Sequence, residues 1–437
     1  MTNTIAERDK EYIWHPYTQH QTASLSLPIV SGQGAYLFDA QGKRYLDLIS
    51  SWWVNIHGHG HPQIAHAIYE QALQLEQVIF AGFTHPPAVT LAEQLLRLLP
   101  SAFKKVFYSD NGSTAVEVAL KMAHQYWRHQ GEKKRTRFLA FSGGYHGDTF
   151  GAMSVGRSSH FFQHFSELLF QVDIAPYPET WEGDDHIIQK EQDALAWLDH
   201  YFNQFPSEVA AVIIEPLIQG ASGMRVCRPE FLRALEALTH RYGILTIYDE
   251  VMTGFGRTGE LFACTKSGTQ PDIICLSKGL TGGFLPLAVT ACQEYLYQAF
   301  LGPSMDAALV HGHSYTANPL GCAAAIASLQ LLTEESTQKQ IRLIEATHRE
   351  MLRDMESLSC IEKRRHCGTI AAFNVTASEE YGSLKSQQWR EVFLERGLLI
   401  RPLGSVVYFL PPYCVPTDAL REAYAEVIEF FKELAIG

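Results

Sequence analysis

Short apolar runs alternate along the middle of the chain with stretches in which apolar positions recur at helical spacing. The runs are almost continuously apolar, which is typical of strands buried on both faces of a sheet. Five of them predict strands: Val106–Ser109, Phe138–Phe141, Val209–Ile214, Ile244–Tyr248 and Ile273–Leu276. Strands that alternate with helices indicate an α/β fold with a mostly parallel sheet covered by helices.

The first well-marked helical stretch follows Gly112. Thr114 and Glu117 have the three-residue offset of a capping box, which predicts a helix N-terminus. Apolar residues then recur at helical spacing and predict a buried face: Val116, Ala119, Leu120, Ala123 and Trp127.

The pattern changes near residue 325. It predicts a helix from Leu329 to Met351, strands near Gly368–Val375 and Val406–Leu410, and a closing helix after Pro416. We therefore expect a large domain at residues 61–324 and a small α+β domain at 325–437. The N-terminal segment, residues 1–60, is punctuated by Pro and Gly and is expected to pack with the small domain.

Composition narrows the class of protein. The chain has 437 residues, of which 46% are hydrophobic and 19% charged, as in an ordinary globular enzyme. Its net charge of -12 argues against nucleic-acid binding. We expect neither a signal peptide nor a membrane span, because no basic-then-apolar start and no long apolar run is present. The eight cysteines form no CxxC pair, which favours reduced core thiols and a cytoplasmic location.

Charged residues follow three of the predicted strands. Glu215 follows Val209–Ile214, Asp249 and Glu250 follow the next strand, and Lys278 follows Ile273–Leu276. Open α/β sheets place their ligands at this strand edge. Glycines at 279, 282 and 283 allow close backbone approach beside the lysine. Burial there would lower the pKa of Lys278 and suit a Schiff-base nucleophile, although a lone loop lysine is usually solvated.

The segment from Ser109 to Thr114 joins a predicted strand to a capped helix. Backbone N–H groups and hydroxyls at such a junction can bind an anion such as phosphate. A plain helix cap is the alternative.

Two motifs suggest other ligands. Gly254–Gly259 matches GxGxxG, but no capped helix is predicted after it and no acidic residue lies near position 279, so a nicotinamide site is disfavoured. His57, His59 and His61 alternate with glycines. No convergent Cys or carboxylate is evident, so we expect a turn with structural hydrogen bonds and no metal.

Together these motifs resemble the class III (ω-type) aminotransferases of PLP fold type I. The central match is Asp249-Glu250-Val251 with Gly254–Gly259 and then Ser277-Lys278-Gly279, and further matches run from His15-Pro16-Tyr17 to Arg401-Pro402. The resemblance implies pyridoxal 5'-phosphate as cofactor and a large domain with a mostly parallel seven-stranded sheet. It also implies a smaller α+β domain drawn from both termini.

The resemblance assigns roles to individual residues. Lys278 would hold the cofactor and move a proton, and Asp249 would keep the pyridine nitrogen protonated. Gly112 and Ser113 would bind the phosphate. Tyr145 and Val251 would cover the two faces of the ring. Further contacts are implied for four residues: Glu215 and Gln219 around the cofactor, and His313 and Ser314 from the neighbouring subunit of a homodimer.

Within the family, the chain is similar to enzymes of biotin synthesis that convert 8-amino-7-oxononanoate to 7,8-diaminononanoate by a ping-pong reaction. The supporting stretches include Ser50–Trp53 and residues 144–149. Tyr17 would take part in catalysis and substrate binding, and Arg401 would clamp the substrate carboxylate. The other substrate residues implied are Trp52, Trp53, Tyr145, Lys278 and Gly312.

Several alternatives stay open. S-adenosyl-L-methionine is the expected amino donor, because a sulfonium could face the Trp52 ring, but lysine is the donor in some relatives. Another ω-amino acid or diamine aminotransferase is the second hypothesis. A nicotinamide-dependent oxidoreductase and a non-catalytic relative that keeps the fold are the third and fourth.

Overall fold

The structure is a computed structural model that describes residues 4–156, 160–376 and 383–436. Its strands are β1 (Ile29–Gln33), β2 (Tyr36–Asp39), β3 (Arg44–Asp47), β4 (Phe103–Ser109), β5 (Arg137–Phe141), β6 (Val172–Ala175), β7 (Val209–Ile214), β8 (Ile218–Gln219), β9 (Arg225–Val226), β10 (Leu245–Asp249), β11 (Ile273–Leu276), β12 (Ala288–Gln293), β13 (Ile361–Cys367), β14 (Ile370–Val375), β15 (Leu398–Leu399) and β16 (Val406–Phe409).

The α-helices are α1 (Ile5–Tyr12), α2 (Ser50–Trp53), α3 (Pro62–Gln74), α4 (Pro86–Leu98), α5 (Gly112–His129), α6 (Phe150–Val155), α7 (Ile187–Gln204), α8 (Pro229–Tyr242), α9 (Ala263–Ser267), α10 (Glu294–Gln298), α11 (Pro319–Thr333), α12 (Glu335–Asp354), α13 (Leu384–Glu395) and α14 (Thr417–Ile436). Short 3-10 helices lie at His160–Leu168, Lys278–Thr281 and Met305–Ala307.

A seven-stranded sheet lies at the centre of the fold, in the order β4-β12-β11-β10-β7-β5-β6. The strands from β11 to β6 pair in parallel, whereas β12 is antiparallel to both of its neighbours. Helix α5 packs against this sheet with the five predicted apolar residues buried. The prediction of an α/β fold with a mostly parallel sheet is therefore confirmed.

The five predicted strands all form, with bounds that shift by at most three residues. Of the strands in the described residues, nine escaped prediction: β1, β2, β3, β6, β8, β9, β12, β13 and β15. The sequences of some are ambiguous, since the short runs of β6 and β12 fit helix or strand equally, and β13 and β3 contain charged residues.

Two helix predictions were wrong in detail. The capping box of α5 pairs Asn111 with Thr114, and Glu117 instead accepts hydrogen bonds from the N–H groups of Gly151 and Ala152 at the start of α6. The predicted helix from Leu329 to Met351 is interrupted. Glu334 has extended backbone with φ -64° and ψ 141°, so α11 ends at Thr333 and α12 begins at Glu335.

Chain segments from both ends of the sequence share a second sheet. Strands β1, β2 and β3 form an antiparallel meander, and β15 pairs in parallel with β3. A third sheet, β13-β14-β16, contains the two strands predicted near residues 368–375 and 406–410, and α14 is the predicted closing helix. The division at residues 60 and 324 stays a prediction.

All eight cysteines are free and six are buried, but Cys360 is partly exposed and Cys414 is exposed, so the prediction of core thiols was wrong for these two. Over the described ranges, no helix combines the length and apolarity needed to cross a membrane.

Candidate active site

Three neighbouring strands of the central sheet bring charged residues to one cavity. β7, β10 and β11 are adjacent and parallel. At their carboxyl ends, Glu215 follows β7, Asp249 is the last residue of β10, and Lys278 lies two residues after β11. All three side chains line a cavity of about 690 Å³. The expectation that these residues meet at one sheet edge is confirmed.

Lys278 is held in a constrained position at the wall of the cavity. It begins a 3-10 helix with a φ of 36°, in the left-handed region that non-glycine residues seldom adopt. Its Nζ lies 5.2 Å from the centroid of the Trp53 ring. Burial lowers the pKa of Lys278, and the nearby carboxylates of Asp249 and Glu215 oppose that lowering. A lysine in this setting is suited to act as a nucleophile.

Asp249 presents a fixed carboxylate to the cavity. Its Oδ1 accepts a hydrogen bond from the Val251 N–H at 3.0 Å, and its Oδ2 lies 2.7 Å from Nδ1 of His146. Both side chains are buried. Within the described residues, the His146 Nε2 atom has no hydrogen-bond partner. Sequence reasoning gave His146 no role, although it lies in the motif at residues 144–149.

Two further buried carboxylates have different tasks. Glu250 points away from the cavity and accepts the N–H groups of Ala263 and Cys264 at 2.6 and 2.7 Å, so it caps α9. Glu215 accepts the N–H groups of Tyr145 and Gly220, both at 3.0 Å. Burial raises the pKa of each carboxyl group to about 7. Gln219 is buried next to this segment but does not line the cavity.

The N-terminus of the 18-residue helix α5 opens onto the same cavity. A Cβ atom on Gly112 would come within 2.5 Å of Val251 Cγ1, so glycine is required for the close approach of these two segments. Ser113 Oγ accepts a hydrogen bond from the Thr149 N–H at 3.0 Å. Helix N-terminal N–H groups with a hydroxyl beside them make a site for an anion.

Tyr17 and Tyr145 are joined by Asp148. The Tyr145 hydroxyl donates to Asp148 Oδ1 at 3.1 Å, and the Tyr17 hydroxyl donates to Asp148 Oδ2 at 2.6 Å. Burial raises the pKa of Tyr145. Tyr145 and Asp148 line the cavity, whereas Tyr17 lies beyond it and is about 41% exposed. Sequence reasoning missed Asp148, which lies three residues after Tyr145.

The paired tryptophans have separate surroundings. Trp53 lines the cavity and donates from Nε1 to the Tyr408 hydroxyl at 3.0 Å. Trp52 is half-exposed, contacts Tyr17 edge-to-face at 5.9 Å between centroids, and lies 4.5 Å from the Arg401 guanidinium carbon. We call Tyr17, Trp52, Asp148 and Arg401 the rim cluster.

The predicted site residues between positions 312 and 314 lie outside the cavity. Gly312, His313 and Ser314 do not line the cavity. The carbonyl of Ser314 accepts a hydrogen bond from Gln77 Nε2 at 2.7 Å, and His313 Nε2 is buried without a partner in the ranges the structure covers. The roles predicted for His313 and Ser314 in the site of a neighbouring subunit, and for Gly312 in substrate binding, stay predictions.

The two motifs that suggested a metal site and a nicotinamide site have local structural roles. His57 Nε2 lies 3.0 Å from Ser328 Oγ, while His59 Nε2 lies 2.9 Å from Asp47 Oδ2, so their rings have different partners. No group of three or more metal-ligating side chains occurs among the described residues. Gly254–Gly259 forms turns, and the next helix, α9, begins four residues later. The strand–turn–helix context of a nicotinamide fingerprint is therefore absent at this segment.

The cavity fits a phosphorylated pyridine aldehyde. The N-terminus of α5 supplies an anion site, Lys278 supplies an amine, and Asp249 supplies a buried carboxylate. Val251 and Tyr145 supply apolar surface for the two faces of a ring. These groups match the phosphate, the aldehyde and the ring nitrogen of such a cofactor.

Comparisons with known proteins agree with this arrangement. The family "Aminotransferase class-III" matches residues 17–431. A Synechococcus elongatus protein named adenosylmethionine-8-amino-7-oxononanoate aminotransferase is 51% identical, and the match covers 97% of this chain and 99% of that protein. The crystal structure of the enzyme of the same name from Methanocaldococcus jannaschii is 37% identical with a TM-score of 0.89, covering 97% of this chain and 98% of that one.

A more distant solved structure shares the fold as well. An amine transaminase from an uncultivated Pseudomonas species, solved in a PLP-bound form, is 30% identical with a TM-score of 0.89, covering 95% of this chain and 97% of that one. The fold is thus that of the PLP-dependent transaminases of fold type I. The chain belongs to the class-III aminotransferases.

Proposed function

We propose that the protein is a PLP-dependent transaminase that converts 8-amino-7-oxononanoate to 7,8-diaminononanoate, with S-adenosyl-L-methionine as amino donor, in biotin synthesis. The observation that carries the proposal is the cavity in which Lys278, Asp249 and the N-terminus of α5 meet. The substrates follow from the names of relatives that are 36–51% identical over nearly their full length.

The cofactor end of the cavity consists of Gly112, Ser113, Asp249, Val251 and Lys278. When bound, pyridoxal 5'-phosphate supplies an electron sink for the carbon that loses its proton. Lys278 would hold the cofactor aldehyde through its amine, and the same amine would carry the proton to and from the reacting carbon. Asp249 would keep a proton on the ring nitrogen, because a buried carboxylate favours a positive charge on its partner.

The remaining residues of the cofactor end orient the group. The N–H groups at the start of α5 and the Ser113 hydroxyl bind the phosphate. Tyr145 covers one face of the ring and Val251 the other, with Glu215 and Gln219 as outer contacts. The close approach of Gly112 to Val251 keeps water from the space between them.

The rim cluster recognises the two substrates in turn. Arg401 binds the terminal carboxylate of the oxononanoate with a forked pair of hydrogen bonds. Trp52, Trp53 and Tyr17 line its aliphatic chain, and the Trp52 face accepts the sulfonium of the donor. Because both substrates use one site, donor product leaves before the acceptor binds, and the kinetics are ping-pong.

Three further features belong to the same proposal. The active unit is a homodimer in which His313 and Ser314 act in the neighbouring subunit's site, Gly312 contacts substrate, and the protein works in the cytoplasm. Support for the dimer is the placement of these residues outside the cavity of their own chain and the unpartnered, buried Nε2 of His313 within the described ranges.

A half-reaction assay on purified, cofactor-loaded protein tests the function. We expect the visible band of the lysine-bound cofactor to fade when S-adenosyl-L-methionine is added and to return when 8-amino-7-oxononanoate follows. Fading with lysine alone would change the donor but keep the pathway. No change with either donor would leave an ω-amino acid or diamine as substrate, and no visible band at all would overturn the proposal.

A further inference from the structure

Helix α2, which carries both tryptophans, is a single turn of four residues whose backbone is left-handed and not that of an ordinary α-helix. Ser50, Ser51, Trp52 and Trp53 have φ values of 48, 45, 72 and 76°, so four consecutive non-glycine residues lie in the left-handed region. Each such residue is disfavoured because its Cβ approaches the carbonyl oxygen. A run of four persists only where the surrounding structure holds it.

A buried carboxylate lies directly beneath this turn. Asp47 has no exposed surface. Its Oδ1 accepts the Ile49 N–H at 3.1 Å, and its Oδ2 accepts the Ser51 hydroxyl at 3.0 Å. Asp47 is therefore tied to the residue before the turn and to the second residue within it.

His59 supplies the third hydrogen bond to this carboxylate. Its Nε2 lies 2.9 Å from Asp47 Oδ2, and its Nδ1 lies 3.0 Å from the side-chain amide nitrogen of Asn55. The Gly58 N–H donates to Asn55 Oδ1 at 2.7 Å. Because a backbone N–H can only donate, Asn55 must present its NH₂ group to His59. His59 Nδ1 is then the acceptor, and Nε2 carries the proton that is donated to Asp47.

The backbone of His59 is fixed as well. Its N–H donates to the Gly34 carbonyl at 2.7 Å, and its carbonyl accepts the Gly34 N–H at 3.1 Å. Gly58 has a φ of 91°, and a Cβ atom there would come within 2.4 Å of Cys414 Sγ. The glycines of the His-Gly-His-Gly-His segment thus allow the chain to place His59 between the loop at Gly34 and Asp47.

We propose that Asp47, Ser51, Asn55 and His59 form a positioning network that holds the Ser50–Trp53 turn and thereby sets the place of Trp52 for substrate binding. None of the four lines the cavity, so they act through the turn. Through His59, the histidine segment at residues 57–61 would then contribute to substrate selection. The inference rests on the proposed function only in naming the substrates.

Hydrogen exchange tests the network without any substrate. The amides of Trp53, Val54 and Asn55 donate to carbonyls of Ile49 and Ser50 at 2.8 to 3.1 Å, so they report opening of the turn. We expect His59→Leu, and the milder Ser51→Ala, to accelerate their exchange about tenfold or more, as the loss of a buried, charge-assisted hydrogen bond implies. His59→Gln, which keeps a donor toward Asp47, should restore most of the protection.

Asp272→Asn is the matched control. Asp272 is also buried and accepts three hydrogen bonds, from the Thr246 N–H, the Thr246 hydroxyl and the Tyr295 hydroxyl, but it lies at the opposite end of β11 from Lys278. It should lower thermal stability and leave exchange at residues 53–55 unchanged. Equal exchange at the turn in His59→Leu and the parent would overturn the network.

Kinetics test the link to selection. We expect His59→Leu to raise the KM of both substrates about tenfold while kcat changes less than about threefold, with the cofactor band unchanged. In protein that already carries Trp52→Ala, adding His59→Leu should raise the KM values little further, because both substitutions remove the same interaction of Trp52 with substrate. Full additivity would overturn the action through Trp52. Absence of turnover with these substrates would count against the proposed function alone, since hydrogen exchange still decides the network.

Discussion

The cofactor end and the rim cluster differ in the backbone that carries them. Asp249 ends a strand, Gly112 begins an 18-residue helix, and Lys278 follows a strand of the same sheet. Tyr17 and Trp52 have φ values of 49 and 72°, and Arg401 lies in a segment without regular structure. Regular elements and the residues next to them carry the groups proposed to perform chemistry, whereas irregular segments from both ends of the chain carry the groups proposed to select substrates.

The difference has a physical basis. A sheet edge is rigid because each strand is hydrogen-bonded on both sides, and proton transfer needs fixed geometry. The proposed function requires the rim to accept two unlike substrates, and its aromatic and guanidinium groups contact one another: Trp52 packs against both Tyr17 and Arg401.

Lys278→Ala should have the largest effect. We expect transamination to fall by about ten-thousandfold or more, since both the nucleophile and the proton carrier are lost. The unfolding midpoint should change little, because Lys278 opens onto the cavity. Lys104→Ala, at an exposed position of β4, is the control and should retain full activity. Substantial turnover by Lys278→Ala in a steady-state assay would contradict its role.

Asp249→Asn and Glu250→Gln separate chemistry from stability at adjacent positions. Asp249→Asn should lower kcat about a hundredfold or more and alter the cofactor band, with modest loss of stability. Glu250→Gln should leave the band unchanged but lower the free energy of unfolding by about 1–3 kcal/mol, because its carboxylate caps α9 through two N–H groups. Absorbance titration and chemical denaturation of both variants give the two readings, and an unchanged band in Asp249→Asn would refute the assignment.

Arg401→Ala should show that the rim affects selection. We expect the KM for the oxononanoate to rise about tenfold to a hundredfold and the KM for the donor to rise less, because the carboxylate loses a forked hydrogen-bonded partner. For Arg401→Lys, the KM for the oxononanoate should lie between those of the parent protein and Arg401→Ala. Arg421→Ala, which removes a surface pair with Glu350, is the matched control. Equal increases in both Michaelis constants would remove the clamp assignment.

Glu215 should have the smallest effect on turnover but a distinct effect on stability. Burial raises its pKa from 4.5 to about 7, so the folded chain retains a proton there that the unfolded chain releases. The stability from this group is fully present below about pH 4.5 and is lost as the pH rises through about 7, with a slope near 1 kcal/mol per pH unit. Glu215→Gln should flatten the curve over this window, as measured by denaturation at several pH values.

Glu250→Gln provides the comparison for that measurement, because burial raises the pKa of Glu250 to about 7 as well. Glu215→Gln and Glu250→Gln should each reduce the dependence of the free energy of unfolding on pH, and the double variant should reduce it further. If the free energy of unfolding falls as steeply between pH 4.5 and 7 in either variant as in the parent protein, these two carboxyl groups do not control the fall.

The sequence alone determined the cofactor end. Continuous apolar runs predict the strands, a polar residue at the end of each run predicts a ligand edge, and parallel order brings those ends together. Lys278 and Asp249 were found in this way, and Gly112 and Ser113 lie in a strand-to-helix junction that the sequence marks as a possible anion site, whereas Val251 was implied only by the resemblance to the aminotransferases. Local pattern and neighbouring strands suffice for such a site.

The tertiary structure alone decided the rest. His146 meets Asp249 across 103 residues, Tyr17 meets Asp148 across 131, and Trp53 meets Tyr408 across 355. No periodic pattern encodes these pairs, because side chains in irregular segments find partners through the packing of distant segments. The left-handed turn at Ser50–Trp53 is the clearest example, since no glycine marks it and its backbone is stabilised by Asp47, Arg257 and Leu410 only once the chain has folded.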